Sequence, residues 1–131
     1  MNKNRLKHYA SKVKSDARGL DRTIIARIAG VTFEGRQAHL EKMDLGTKVR
    51  LQRDRRNKYD FYAVAVMAEI GGAWEHVGFI PGAMSKLISR SLDNGVDLVA
   101  VAHRRTGGMV NEQTGENLNY GLEIKITPRA V

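Results

Sequence analysis

The stretch RRNKYDFYAVAV, Arg55 to Val66, crowds three kinds of side chain together. Arg55, Arg56 and Lys58 are cations, Tyr59, Phe61 and Tyr62 are rings, and Asp60 is a lone carboxylate among them. Rings beside cations suit a single nucleic-acid strand, because bases stack on the rings while phosphates sit by the cations. Asp60 would repel a phosphate, but it accepts a hydrogen bond from a sugar hydroxyl. The set therefore fits a strand terminus, where one free hydroxyl replaces the next phosphate. The plainer reading is a turn: Asn and Asp side chains bond nearby backbone, so Asn57 and Asp60 can simply start the strand that follows. Tyr59 is then a ring lying over one end of the fold.

Other chemistry is thinly represented. His8, His39, His76 and His103 show no ligand spacing, and no HExxH pair or phosphate-binding GxxxxGK[ST] loop occurs. Gly107-Gly108 reads as a turn, and no serine sits in a nucleophile elbow. One catalytic set competes. Glu123 and Lys125 share a strand face and Asp97 lies on the preceding predicted strand, a grouping that a metal-dependent nuclease can use. The alternative is that Glu123, Lys125 and Thr127 are the solvent side of a strand whose Leu122, Ile124 and Ile126 face the core.

The elements that must position these residues follow from periodicity. Residues 3–18 predict a basic helix with a thin apolar stripe of Leu6, Tyr9, Ala10, Val13 and Ala17, stopped at Gly19. TIIARIAGV from Thr23 reads as a strand, and Arg36 to Met43 as a short helix with Leu40 and Met43 inward. In TKVRLQR, Val49 and Leu51 alternate with Lys48, Arg50 and Gln52, a half-buried strand with a basic outer face. Tyr62 to Ile70 is apolar enough for both faces to be covered. Gly71-Gly72 marks a hairpin turn before the short strand HVGFI. Met84, Leu87, Ile88, Ser91 and Leu92 define a helix ended by Asn94-Gly95. VDLVAVAHRR and NYGLEIKIT are the closing strands, joined by a polar, glycine-rich loop. Five or six short strands with two inserted helices predict a mainly β fold, a small curved sheet or barrel.

Composition narrows the partner. The 131 residues suit one domain, and 42% apolar content is adequate for a core. No apolar run approaches the ~18 residues that span a membrane, and the N-terminus lacks a secretory apolar centre. There are no cysteines, which fits a reducing, intracellular setting. The net charge of +8 favours a polyanionic partner. It gathers in two places: the first 27 residues, and Arg50, Arg53, Arg55, Arg56 and Lys58 with Asp54 as their only acid. Such clustering resembles a binding footprint.

The segments IAGVTFEGRQ, VRLQRDRRNKYDFYAVAV, HVGFIP, MSKLISRSLDNG and YGLEIKI, in that order, resemble the HIRAN domain family over about residues 23–127. The pattern is an arginine–acid pair, N-x-Y-D, A-[VI]-x-V and V-G-[FY]-[IL]-P. The resemblance implies a small β-barrel related to OB- and SH3-like barrels. It also implies binding of single-stranded DNA ends with the 3′ hydroxyl recognised, and no catalysis. Carried over, Phe33 and Tyr59 match base-stacking rings, Asp60 the acid that takes the terminal hydroxyl, and Asn57 the residue that shapes the turn. Phe79 falls in the strand beside the site. The chain departs from the pattern where Lys58 and Arg55 or Arg56 replace prolines. Thr32 and Glu34 replace an arginine and an aromatic, and Gly82 stands where a basic residue often follows the proline. The loop is thus less rigid and more cationic.

The expectation is a basic N-terminal arm over residues 1–22 and a barrel over 23–131. The barrel is a free-standing bacterial or phage-type module without cofactor or metal. It is expected to bind single-stranded DNA through Phe33, Asn57, Tyr59, Asp60 and Phe79, with phosphates contacted by Arg53, Arg55, Arg56 and Lys58. A protein-recruiting module, docking through its basic helix to a repair or replication factor, is the alternative, and the nuclease is the third.

Overall fold

The computed structural model describes residues 19–129, so the helix expected over 3–18 lies outside the described residues. In order these contain β1 (Ile24–Arg27), α1 (Arg36–Glu41), β2 (Lys48–Arg53), β3 (Val64–Ile70) and β4 (Ala73–Phe79). α2 (Gly82–Asp93), β5 (Leu98–Thr106) and β6 (Gly121–Pro128) follow. The strands form one antiparallel sheet in the order β1-β6-β5-β2-β3-β4.

The run read as one strand from Thr23 to Val31 is divided. Its first part pairs with β6 as β1. Ile28 still donates to the Leu122 carbonyl, but Ala29 and Phe79 exchange both backbone bonds, at 2.8 and 2.9 Å. That bridge joins the two edges and turns the curved sheet into a barrel, the device that removes exposed edges. Gly30, with φ 69°, then bends the chain away. Closure demands close approach: a Cβ at Gly78 would lie 2.4 Å from Ile28 Cγ2 and 2.6 Å from the Ala29 carbonyl oxygen. Only glycine fits the V-G-F step there.

Periodicity explains the walls. β2 buries Val49 and exposes Lys48, Arg50 and Gln52, as its alternation predicts. β3 buries Val64, Val66 and Ala68, yet Ala65 and Met67 are only half-buried. The expected two covered faces are therefore one closed face and one half-covered face, where the Arg50 guanidinium lies 4.3 Å over the Trp74 ring. Gly71-Gly72 turns β3 into β4 with φ of 60° and 82°, as left-handed hairpin positions require. β4 begins three residues before the expected HVGFI, because Ala73, Trp74 and Glu75 pair in the ladder directly after the Gly71-Gly72 turn.

The helices differ from expectation in what they bury. In α1 Leu40 is inward, and Met43 just beyond it is buried too, but so is Arg36. In α2 Ile88 is buried, while Met84, Leu87 and Leu92 are only half-buried; Ser85, Ser89 and Ser91 share the deepest positions. Small hydroxyl residues let the helix approach closely, and Ser89 and Ser91 donate to the carbonyls of Lys86 and Leu87 about one turn back. Ser91 Oγ also accepts the Leu20 N–H at 2.8 Å, seating Leu20 in the core. Among the described residues no helix is long and apolar enough to cross a membrane.

Candidate functional site

A cleft of about 590 Å³ opens beside the Ala29–Phe79 seam. Two loops and the end of β4 line it: Gly30, Phe33, Glu34 and Arg36 from the first loop and α1, Asn57, Tyr59 and Asp60 from the second, and Phe79.

The second loop is held by its own polar side chains. Asn57 Oδ1 accepts the N–H groups of Tyr59 (2.9 Å) and Asp60 (3.0 Å), and Asn57 Nδ2 donates to Asp54 Oδ2 at 3.2 Å. Asp60 Oδ1 accepts the Tyr62 N–H at 2.8 Å, and Oδ2 accepts the Ser85 hydroxyl at 2.9 Å. The turn reading thus describes the geometry of both residues, and it explains why β3 starts at Val64 rather than Tyr62. It does not consume the carboxylate. An ionised carboxyl has about four acceptor positions, and these bonds use two. Asp60 lines the cleft with acceptor capacity left.

The turn also throws Tyr59 outward. Its ring is 97% exposed, and Phe33 across the cleft is 65% exposed. Neither is a core residue. Phe61, also exposed, meets Tyr62 edge-on at 5.2 Å, and Lys86 from α2 lies 5.7 Å from the Tyr62 ring.

The cations divide. Arg53, expected on the phosphate-binding face, is turned inward with its side chain 9% exposed. Its Nη1 donates to the carbonyls of Phe61 (3.3 Å) and Ala63 (3.0 Å), and its Nε to Asp93 Oδ1 at 3.2 Å. A guanidinium has five donors in a fixed fork, and here the fork ties the loop to α2. Arg55 shares Asp93 at 2.6 Å but remains mostly exposed. Arg56 and Lys58 are exposed.

Outside the predicted set, Arg36 lines the cleft, and His76 and Gln37 hold the elements around it. Arg36 is 6% exposed; its Nη1 donates to the Gly30 carbonyl at 2.6 Å, and Nη2 lies 3.3 Å from Glu34 Oε2 and 3.5 Å from His76 Nδ1. Its guanidinium stands 5.3 Å from the centre of the Phe79 ring, which His76 meets edge-on at 4.8 Å. His76 Nε2 is 2.8 Å from the Gly78 carbonyl, so that nitrogen carries the proton and Nδ1 offers its lone pair to Arg36. Burial, and then the charge of Arg36, hold the imidazole below its ordinary pKa and keep it neutral. Gln37 fixes the first loop by donating to Val31 and Tyr120 carbonyls, each at 2.9 Å, while accepting the Tyr120 N–H. The signal for Arg36 was in the sequence: it precedes Leu40 and Met43 by four and seven residues, on their face of the helix. Ser85, three residues before Ile88, is the same case.

The nuclease set does not assemble. Glu123 pairs with Arg104 at 3.7 Å, whereas Asp97 pairs with Arg129 at 3.1 Å, beyond the Pro128 end of β6. Glu123 and Pro128 are five residues apart on that strand, about 17 Å at the usual rise. Among the described residues no group of three or more His, Asp or Glu side chains could hold a metal ion.

Comparison with known proteins agrees with this architecture. Residues 22–127 match the HIRAN domain. No curated protein matches the chain. Two solved structures share its fold. One is a Lactobacillus plantarum protein, 19% identical with a TM-score of 0.54, covering 83% of this chain and 94% of that one. The other is the HIRAN domain of human HLTF, 16% identical with a TM-score of 0.54, covering 82% of this chain and 77% of that one. With the family match spanning the barrel from before β1 into β6, the chain belongs to the HIRAN domain family.

Proposed function

We propose that this chain is a non-catalytic module that binds single-stranded DNA and prefers ends carrying a 3′ hydroxyl. The observation that carries the reading is the cleft itself: two solvent-exposed rings, Phe33 and Tyr59, flank a carboxylate with unused acceptor positions. Rings held outward by a bonded turn offer stacking faces to bases at little ordering cost. Asp60 receives the terminal hydroxyl, and Phe79 and Asn57 complete the walls. Arg56 and Lys58, with Arg55 where Asp93 releases it, meet the phosphates. Arg53 serves by fixing the loop. The HIRAN resemblance implies the same use of the same positions.

A fluorescence-anisotropy series with single-stranded, duplex, 3′-hydroxyl and 3′-phosphate oligonucleotides tests the reading. The expected order puts the single strand with a free 3′ hydroxyl tightest. Equal, weak binding to all four removes the proposal. A second reading, recruitment of a protein partner, is favoured by exposed Met109, Val110 and Leu118 at the β5–β6 hairpin tip. Salt-dependent oligonucleotide binding separates the two.

A further inference from the structure

Arg36 is an anomaly of the cleft floor. It is nine-tenths buried, yet its Nε–H has no hydrogen-bond partner. Buried donors are nearly always paired, because an unpaired one forfeits its hydration without return. Nη1 is well used, at 2.6 Å to the Gly30 carbonyl. The other edge of the fork is poorly used: Nε has nothing, and Nη2 has only the long contacts to Glu34 and neutral His76. The guanidinium Nε–Nη2 edge is the one that takes two oxygens of a carboxylate or phosphate side by side.

Glu34 is the only carboxylate hydrogen-bonded to that edge among the described residues, and it holds it loosely. Its side chain is 80% exposed, it bonds one nitrogen rather than two, and its backbone has φ 54°, the left-handed region that non-glycine residues seldom occupy. An exposed ion pair of this kind contributes little, since solvent competes for both partners.

We infer that Glu34 is a displaceable stand-in for a DNA phosphate, and that a backbone phosphate of the bound strand replaces its carboxylate on the Nε–Nη2 edge of Arg36. The inference rests on the proposed single-strand binding and adds a phosphate position inside the cleft, distinct from the exposed cations on its rim. The Gly30 carbonyl and the Phe79 ring hold the rest of the fork in place, and Glu34 is the group that must leave Nη2. Arg36 and Asp60 line one cleft, so the phosphate concerned belongs to a linkage near the 3′ end.

The test is a set of 3′-hydroxyl oligonucleotides, each with one uncharged methylphosphonate linkage, titrated by anisotropy against the parent and Glu34→Gln. Glu34→Gln should bind the fully charged strand about 2- to 5-fold more tightly, the scale of a loose ion pair removed. That gain should vanish on the strand whose neutral linkage is the one Arg36 receives, and persist on all others. A gain equal on every strand means that Glu34 acts only as bulk negative charge, and no gain means that nothing displaces it; either overturns the inference while leaving single-strand binding intact. Absence of binding by the parent to any strand overturns both. Arg36→Lys, checked for folding by thermal melting, should lose the penalty at that same linkage. Should it fail to fold, the Glu34→Gln comparison still decides.

Discussion

Replacing Asp60 by Asn separates the turn from the recognition of ends. The carboxylate bonds the Tyr62 N–H and the Ser85 hydroxyl. The substituted amide keeps an oxygen for Tyr62 and turns its amino group toward Ser85, whose hydroxyl has spare acceptor positions while it donates to Gly82. Both bonds survive, changed from charge-assisted to neutral, so the variant should fold with a loss of about 1 kcal/mol. For the ligand, the hydroxyl bond weakens by a similar ~1 kcal/mol. A 3′ phosphate gains, because two unit charges at ~4 Å repel by about 1 kcal/mol in water and more where water is excluded. The cleft is open, so the lower figure applies. The ratio of hydroxyl to phosphate affinity should therefore fall by ~2 kcal/mol, about 30-fold. Anisotropy titrations of both oligonucleotides, beside a thermal melt, read this directly. A folded Asp60→Asn protein with the parent's ratio would refute any role for Asp60 in reading ends.

Phe33→Ala or Tyr59→Ala should each cost ~1–3 kcal/mol of binding with little sequence preference and leave melting temperature nearly unchanged, since both rings are exposed. With two or three phosphates met by Arg55, Arg56 and Lys58, log K should fall against log salt with a slope of about −1.4 to −2.1. Arg53→Ala should leave that slope alone and instead lower thermal stability, by roughly 1–3 kcal/mol for the loop carbonyls that lose their donor, since Asp93 stays partly exposed and paired with Arg55. The His76 pKa is lower folded than unfolded, so the unfolded chain binds the extra proton first. Stability should fall as pH drops below about 6.5 toward the lowered folded value, and His76→Gln should flatten that dependence in melts across pH 5–7.

Much of the fold was legible because it depends on period. Val49 and Leu51 against Lys48 and Arg50 and the Gly71-Gly72 turn appear as their spacing predicts, and of the α2 stripe Ile88 and Ser91 are the fully buried members. The division of the first strand was not, since closure at Ala29 depends on a partner fifty residues away and on the clearance that Gly78 gives. In the cleft, the types in N-x-Y-D placed a bonded turn and an outward ring. Charge type alone misled at Arg53, which looks like its neighbours in sequence but is claimed by Phe61, Ala63 and Asp93. Arg36 was hidden because a cation is normally assigned to the outer face of a helix, and only its spacing from Leu40 argued otherwise.

The Ala29–Phe79 bridge has a consequence for folding order and its coupling to ligand. The β2–β3–β4 meander joins neighbours in the chain, whereas β1 must find β6 about a hundred residues away and Ala29 must find Phe79. Such distant pairings carry the larger loop-closure cost, so they are expected to form after the meander. The cleft walls, Gly30 on one side and Phe79 on the other, are brought together by that last zipping. A half-assembled chain therefore has rings and cations but no cleft. Any molecule that needs the cleft holds the barrel shut by mass action, and the amide protons of Ala29 and Phe79 become its most direct reporters of occupancy.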